Sequence, residues 1–164
     1  MIFMPKLSKH FYFILAFCCL IFSNTAKATG NYQVEVIVFK HVYGQTGNNP
    51  TLIDKVPSFA STWAVPKSLL SSYAGKITAA SQYQILSYNS WGQKSAPFKS
   101  SAAKEYNQNG LNGYVKVFAN QLLFAEIKLT LDGHFMSERR RLKLDELHYF
   151  DNAGIGVLMQ VSRL

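Results

Sequence analysis

Two stretches of the chain alternate between hydrophobic and polar positions, which is the pattern of a half-buried β-strand. In residues 31–42, the even positions from 32 to 38 are Tyr or Val, and Ile37 and Phe39 then make both faces apolar. In residues 122–131, every odd position is apolar, and charged or hydroxyl side chains lie among the even positions. The first pattern predicts a strand that begins half exposed and ends inside a sheet. The second predicts a strand with one buried face.

The Asp-Gly dipeptide at 132–133 directly follows the second strand and favours a two-residue hairpin turn. If the strand pairs with the residues after this turn, Glu126 lies opposite Arg139, and Phe124 lies opposite Arg141. Both pairs are favourable cross-strand neighbours, since one joins opposite charges and the other places a cation beside a ring. We therefore predict a hairpin in this register.

The same register places Glu138 and Arg140 on the face that carries Met136, Leu142 and Leu144. Charged side chains are rarely buried without a partner. Either these two residues pair near the margin of the sheet, or a bulge shifts the register between them. The choice matters because a shift of one residue moves every following side chain to the other face.

The remaining patterns predict one helix and several strands. Apolar side chains recur at helical spacing over 67–80, with Pro66 in a first-turn position where its missing N–H is tolerated. We also predict strands over 82–91 (ending at Gly92), 114–119 and 154–161. Residues 51–65 have no clean period and are expected to be irregular, and residues 43–50 and 93–112 are expected to be surface loops. Runs of strands with one helix indicate an α+β fold, a mostly antiparallel β-sheet with one packed helix in a single domain.

Residues 1–28 have the pattern of a secretory signal peptide. A positively charged start precedes an apolar run at 11–22, and Ala26 and Ala28 form a small-x-small cleavage pattern. We expect export and cleavage after Ala28, which leaves 29–164 as the folded domain, without a stable membrane span. An uncleaved anchor is the alternative, although a bilayer span needs about 20 apolar residues.

Removal of this segment changes the chemistry that the chain offers. Cys18 and Cys19 are the two cysteines and both lie in it, so the exported chain has no disulfide, no thiol nucleophile and no cysteine-based zinc site. Three of the 17 lysines and arginines and none of the 9 acids lie in it, so the exported chain has a net charge of +5. This charge favours anionic partners such as carboxylate-bearing wall polymers, lipopolysaccharide phosphates or lipid headgroups, and nucleic acid is a poor fit.

The segment 146–151 concentrates ionisable groups. If it is a strand, Glu146 and His148 share one face and Asp151 lies on the other; if it is a short helix, His148 approaches Asp151 at three-residue spacing. Neither geometry completes a metal site, and the sequence has no GxSxG nucleophile element. We therefore expect a non-enzymatic protein without cofactor or metal, in which His148 hydrogen-bonds a carboxylate at a strand end. A hydrolase or metal enzyme built on these three residues is the least supported class.

Arg139, Arg140 and Arg141 admit two interpretations. They form either a solvated hairpin face paired with neighbouring glutamates, or a surface that holds carboxylates of a polymer, which arginine does in a bidentate manner. Aromatic residues likewise belong to the core or stack on sugar rings. Those considered are Trp63, Trp91, Tyr88 and Tyr106. We expect Tyr106 to be exposed in the loop 93–112.

Three segments together carry a family resemblance: YQVEVIVFK near the start of the exported chain, YQILSYNSWGQ in its centre, and RRRLKLDELHYFDNAGIGVLMQV at its end. They resemble the CsiV family of periplasmic, peptidoglycan-binding, cell-shape-integrity proteins of Gram-negative bacteria. The matching positions are Arg139, Arg140, Glu146, Leu147, His148, Tyr149, Asp151, Gly156 and Val157. Asn152 and Ala153 stand where the family usually has His-Pro, so this turn departs from the pattern.

The resemblance implies a periplasmic accessory factor that binds peptidoglycan and supports cell-wall synthesis and cell shape. It also implies a link to a class A penicillin-binding synthase through its outer-membrane lipoprotein activator. The residues expected to bind a ligand are Arg139, Arg140, Arg141, Glu146, His148, Tyr149 and Asp151. The alternative is an adaptor without polymer affinity that contacts the synthase or its activator through Phe124, Phe135, Arg139 and Arg141.

Overall fold

The computed structural model describes residues 30–43, 47 and 61–164. The expected signal peptide, most of the loop 43–50 and most of the segment 51–65 lie outside the described residues. The elements are β1 (Asn31–His41), β2 (Thr62–Ala64), α1 (Ser71–Ala79), β3 (Tyr83–Lys94), a 3-10 turn (Phe98–Ser100), β4 (Ala103–Gln108), β5 (Leu111–Ala119), β6 (Leu123–Leu131), β7 (His134–Arg141), β8 (Leu147–Asp151) and β9 (Ile155–Arg163).

The strands form two antiparallel sheets that share one core. The five-stranded sheet has the order β2-β3-β1-β9-β8, and the four-stranded sheet has the order β4-β5-β6-β7. Val36 of β1, Ile127 of β6 and Met159 of β9 are fully buried in the same cluster between the sheets. Burial of each such side chain contributes roughly 1.5–3 kcal/mol relative to exposure.

The helix covers the other side of the five-stranded sheet. Leu70 and Ile77 pack against Ile37 and Phe39, which point away from the inner core because β1 alternates its side chains. The predicted fold, mostly antiparallel β-structure with one packed helix in a single domain, is confirmed. The division of the strands between two sheets was not predicted.

The predicted start of the helix is wrong, because α1 begins at Ser71 instead of 67. Glu35 of β1 accepts hydrogen bonds from the backbone amides of Ser68 (2.6 Å), Leu69 (2.9 Å) and Leu70 (3.0 Å). These amides therefore serve a buried carboxylate, and Pro66 lies before the helix and not in its first turn. A long-range contact sets this boundary.

The predicted loop over 93–112 is also wrong. β3 continues through Gly92 to Lys94, and β4 and the start of β5 occupy the second half of the segment. Asn109 and Gly110, with φ of 52° and 78°, form the turn between β4 and β5. β4 has one buried residue, Tyr106, so it lacks the alternation that would have revealed it.

Gly92 does not end its strand, because it makes room for an aromatic ring. A side-chain carbon at this position would lie 2.2 Å from the ring of Trp63. Trp63 belongs to β2, which pairs with β3 at this point and lies within the segment predicted to be irregular. Gly92 therefore permits the close approach of the Trp63 ring. In the sequence, a glycine with this role inside a strand looks the same as a glycine that ends the strand.

The hairpin of β6 and β7 has the predicted turn and register. Glu126 lies opposite Arg139, and Phe124 lies opposite Arg141. The register runs without a bulge, and Arg140 pairs with Glu138 at 3.6 Å where both side chains are partly exposed. The first of the two alternatives for these residues, pairing near the margin, is therefore the observed one.

Candidate functional site

The residues expected to bind a ligand divide among separate places in the fold. Arg139 and Arg141 lie on the outer face of the four-stranded sheet, because Met136 of β7 and Leu142, directly after the strand, are buried on the opposite face. Arg140 and His148 lie at the margin between the sheets, Glu146 lies in the linker before β8, and Tyr149 and Asp151 lie on the outer face of the five-stranded sheet. They do not form one site.

Arg140 joins the two sheets. Its Nη1 donates a 3.0 Å hydrogen bond to the carbonyl oxygen of Tyr149, and its guanidinium carbon lies 4.5 Å from the ring centroid of Phe150. Both partners belong to β8, whereas Arg140 belongs to β7. The exposed ion pair with Glu138 adds little, as is usual at a surface. Arg140 thus has a structural role at the sandwich margin.

His148 and Glu146 hold the linker between β7 and β8. His148 Nε2 lies 3.1 Å from both the backbone nitrogen and the backbone oxygen of Lys143, so the prediction of a carboxylate partner for His148 is wrong. Glu146 pairs with Lys143 Nζ at 3.2 Å. Because 147–151 is a strand, His148 and Asp151 lie on opposite faces.

Within the described ranges, no group of three His, Cys, Asp or Glu side chains is placed to hold a metal ion.

Tyr149 and Asp151 belong to a cluster of rings beside α1. Asp151 Oδ1 lies 3.2 Å from His41 Nε2, and the Tyr149 ring is parallel to that of Phe39 with centroids 6.4 Å apart. Burial, the charge of Asp151 and a hydrogen bond to Asp151 raise the pKa of Tyr149 to about 12. The strand-end histidine with a carboxylate partner is therefore His41, and the sequence pattern had assigned that role to His148.

Asn152 organises the turn after β8. Its Oδ1 accepts hydrogen bonds from the amides of Gly154 (3.1 Å) and Ile155 (2.9 Å). Its Nδ2 donates a 2.9 Å hydrogen bond to the carbonyl oxygen of Phe135 in β7. Asn152 therefore supplies a second polar link between the sheets.

The outer face of the four-stranded sheet combines cations with aromatic rings, and we call it the arginine face. Its members are Phe98, Lys116, Phe118, Phe124, Glu126, Lys128, Phe135, Arg139 and Arg141. The ring of Phe118 contacts that of Phe98 edge to face, with ring centroids 5.0 Å apart. It lies nearly parallel to the ring of Phe124, with centroids 5.6 Å apart. These rings form an apolar base beneath the charged groups.

Arg139 lies against this base. Its guanidinium carbon is 4.8 Å from the centroid of Phe118 and 5.4 Å from that of Phe98. Glu126 lies opposite Arg139 in the β6–β7 register. Its carboxylate accepts a 2.7 Å hydrogen bond from the hydroxyl of Tyr114. In the part of the chain that the structure describes, no carboxylate lies within 4.0 Å of Arg139 or Arg141. Both arginines therefore retain N–H donors for a ligand.

Lys116 adds a buried positive group to the same face. It lies opposite Glu126, is 1% exposed, and its Nζ lies 4.8 Å from the centroid of Phe98. Burial lowers the pKa of Lys116, and the nearby charge of Glu126 opposes this shift. Sequence patterns did not single out Phe98 or Lys116, since Phe98 lay in a predicted loop and lysine rarely occupies a buried position.

Two of the aromatic residues considered for sugar stacking belong to the core. Trp91 is 6% exposed and Tyr106 is 4% exposed, so the prediction that Tyr106 is a loop aromatic is wrong. The hydroxyl of Tyr88 donates to Glu35 at 2.8 Å. Trp63 retains a partly exposed ring over Gly92.

No protein-family model, curated protein or solved structure matches this chain. Across the described ranges 30–43, 47 and 61–164, no helix has the length and apolar character needed to cross a membrane. The function is therefore inferred from the contacts of the described residues together with the sequence pattern.

Proposed function

We propose that this protein is a periplasmic, non-enzymatic factor that binds peptidoglycan through the arginine face and supports cell-wall synthesis and cell shape. The observation that carries the proposal is the pair Arg139 and Arg141, exposed on one face and without a carboxylate partner among the described residues. The signal-peptide pattern, the net charge of +5 for the exported chain and the resemblance to the CsiV family support it.

The ligand groups that suit this face are the carboxylates of wall peptides. Stacking of Arg139 on Phe118 holds the guanidinium plane, which reduces the entropy lost when it binds. A planar guanidinium binds a carboxylate through two parallel hydrogen bonds. Alternate residues of a strand lie about 7 Å apart on one face, so Arg139 and Arg141 suit two neighbouring carboxylates of a polymer. Repeated weak contacts along a polymer then add to the avidity.

The test is co-sedimentation of residues 29–164, which include every described element, with purified wall sacculi over a salt series. The Arg139→Ala, Arg141→Ala double variant should bind at least tenfold more weakly, because it loses two charge-assisted contacts. The control is the Lys67→Ala, Lys76→Ala double variant, which removes the same charge beside α1 and should bind like the wild type. Equal loss in both variants would show that net charge alone drives binding and would contradict the proposed site.

The second candidate is a protein adaptor that uses the same face. It is favoured by Phe124 and Phe135, two half-buried rings beside exposed arginines, since aromatic and arginine side chains are enriched at protein interfaces. Its signature is capture of a class A penicillin-binding synthase or its outer-membrane lipoprotein activator by wild-type protein that does not sediment with sacculi. Loss of capture in the Arg139→Ala, Arg141→Ala variant would assign the contact to this face.

A further inference from the structure

Glu126 lies between two cations on the arginine face. In the sheet register it is opposite Lys116 of β5 on one side and opposite Arg139 of β7 on the other. The Cβ atoms of directly opposite residues on one face of an antiparallel pair are about 4.5–5.5 Å apart, which is close enough for an ion pair. A carboxylate at this position can therefore compete with a ligand for the guanidinium of Arg139.

The carboxylate is instead hydrogen-bonded to a tyrosine on the far side of its strand. The hydroxyl of Tyr114 donates a 2.7 Å hydrogen bond to Glu126 Oε1. Tyr114 belongs to β5 and Arg139 to β7, and β6 lies between these two strands. Among the described residues, no carboxylate lies within 4.0 Å of Arg139. The hydrogen bond thus directs Glu126 away from the arginine.

Physical chemistry explains why Glu126 prefers the tyrosine. A hydrogen bond from a hydroxyl to a carboxylate is charge-assisted and stronger than a neutral one. Tyr114 is 3% exposed, so its ring is held by packing and its hydroxyl is protected from water. Arg139 is exposed, and an exposed ion pair is screened by solvent and requires a long side chain to be immobilised. The buried hydroxyl is therefore the better partner for the carboxylate.

We propose that Tyr114 is a positioning residue of the arginine face, which keeps Glu126 away from Arg139 and so leaves that guanidinium open to a carboxylate of the ligand. The identity of the ligand, the wall peptide, rests on the proposed function. Without the Tyr114 hydroxyl, Glu126 turns to Arg139 and occupies N–H donors that the ligand needs. Arg141 lies opposite Phe124, which has no charge, and is not subject to this competition.

The first experiment is co-sedimentation of residues 29–164 with purified wall sacculi at one salt concentration. Tyr114→Phe should bind roughly two- to fivefold more weakly, the strength of an exposed ion pair that the ligand must displace. In a Glu126→Gln background, the same substitution should leave binding unchanged, because the side chain at 126 no longer carries the competing charge. An equal loss in both backgrounds would show that the Tyr114 hydroxyl supports only the fold, and would overturn the proposal.

Tyr88→Phe is the matched control. The Tyr88 hydroxyl also donates to a carboxylate, that of Glu35 at 2.8 Å, but on the five-stranded sheet. This variant should sediment with sacculi like the wild type. A loss as large as that in Tyr114→Phe would mean that removal of any such hydroxyl weakens binding, and would also overturn the proposal.

The second experiment uses no wall ligand. Phenylglyoxal modifies accessible guanidinium groups, and mass spectrometry measures its rate at each arginine. In Tyr114→Phe, the rate at Arg139 relative to Arg141 should fall roughly twofold or more, because an ion pair covers the guanidinium. Addition of Glu126→Gln should restore the ratio. An unchanged ratio in Tyr114→Phe, as when Glu126 turns to Lys116 instead, would overturn the proposal.

The two proposals fail in distinguishable ways. Sacculus binding that depends on Arg139 and Arg141 but is unchanged in Tyr114→Phe overturns the role of Tyr114 and leaves the proposed function standing. Absence of sacculus binding in the wild type, together with slower modification of Arg139 in Tyr114→Phe, supports the role of Tyr114 and counts against peptidoglycan as the ligand.

Discussion

The two sheets carry their charged residues in opposite ways. On the five-stranded sheet, Glu35 is fully buried and accepts hydrogen bonds from the side chains of Gln33 (2.8 Å) and Tyr88 (2.8 Å) and from the amides of Ser68, Leu69 and Leu70. On the four-stranded sheet, Arg139 lies against Phe98 and Phe118 and has no carboxylate within 4.0 Å among the described residues. A charge whose hydrogen bonds are all made within the protein is structural, whereas a charge held by rings alone can bind a partner.

The pKa of Glu35 reflects this difference. Burial alone would raise it, but the hydrogen bonds from the three amides and from Tyr88 outweigh the burial, so the pKa of Glu35 is lowered below its usual value of 4.5. Burial, and to a smaller extent the hydrogen bond and charge of Glu35, raise the pKa of Tyr88 to about 12. Glu35 therefore remains ionised at neutral pH and anchors the start of α1.

The largest effect is expected for Glu35→Ala. It leaves buried amides and the Tyr88 hydroxyl without their acceptor and should lower the free energy of unfolding by about 3–5 kcal/mol. Urea denaturation followed by circular dichroism measures this change. The control is Glu146→Ala, which removes an exposed carboxylate and should change stability by no more than about 0.5 kcal/mol. Similar losses in both variants would contradict a structural role for Glu35.

A smaller effect is expected at the sandwich margin for Arg140→Ala. This change removes the hydrogen bond to the Tyr149 carbonyl and the contact with Phe150, and should lower the free energy of unfolding by about 1–2 kcal/mol. Arg141→Ala removes an arginine on the next residue that makes no such link, and should change stability by about 0.5 kcal/mol or less. Equal losses of stability in the two variants would contradict a structural role for Arg140 that Arg141 does not share.

The pH dependence of stability gives a finer test. Because the pKa of Glu35 is lowered on folding, its stabilising contribution is complete above pH 4.5, its usual pKa, and is lost as the pH falls through the lower pKa of the folded state. Glu35→Gln should therefore be less stable than the wild type at neutral pH and lose less stability between pH 4.5 and lower values. Urea midpoints measured from pH 7 to pH 3 compare the two slopes. Parallel slopes would show that Glu35 does not titrate in this way.

Local signals predicted the hairpin of the arginine face better than they predicted the surroundings of the other expected site residues. Alternation in β6 and the Asp-Gly turn were sufficient to pair Glu126 with Arg139, because a hairpin register depends on neighbouring residues. The residues expected to bind a ligand between Arg139 and Asp151 do not form one site, because β7 and β8 belong to different sheets and each strand distributes its side chains to two faces. Tyr106 was misassigned since an edge strand with a single buried position gives no periodic signal.

The sequence by itself determined the largely antiparallel fold, the position of the β6–β7 hairpin and the exposure of Arg139 and Arg141 on one face. These features follow from side-chain periodicity and from turn residues, which act over a few neighbouring positions. Only the tertiary structure decided that the strands divide between two sheets, that Glu35 binds amides more than 30 residues away, and that Phe98 covers Lys116. Each of these contacts joins segments that are distant in sequence, so the packing of the whole chain determines them.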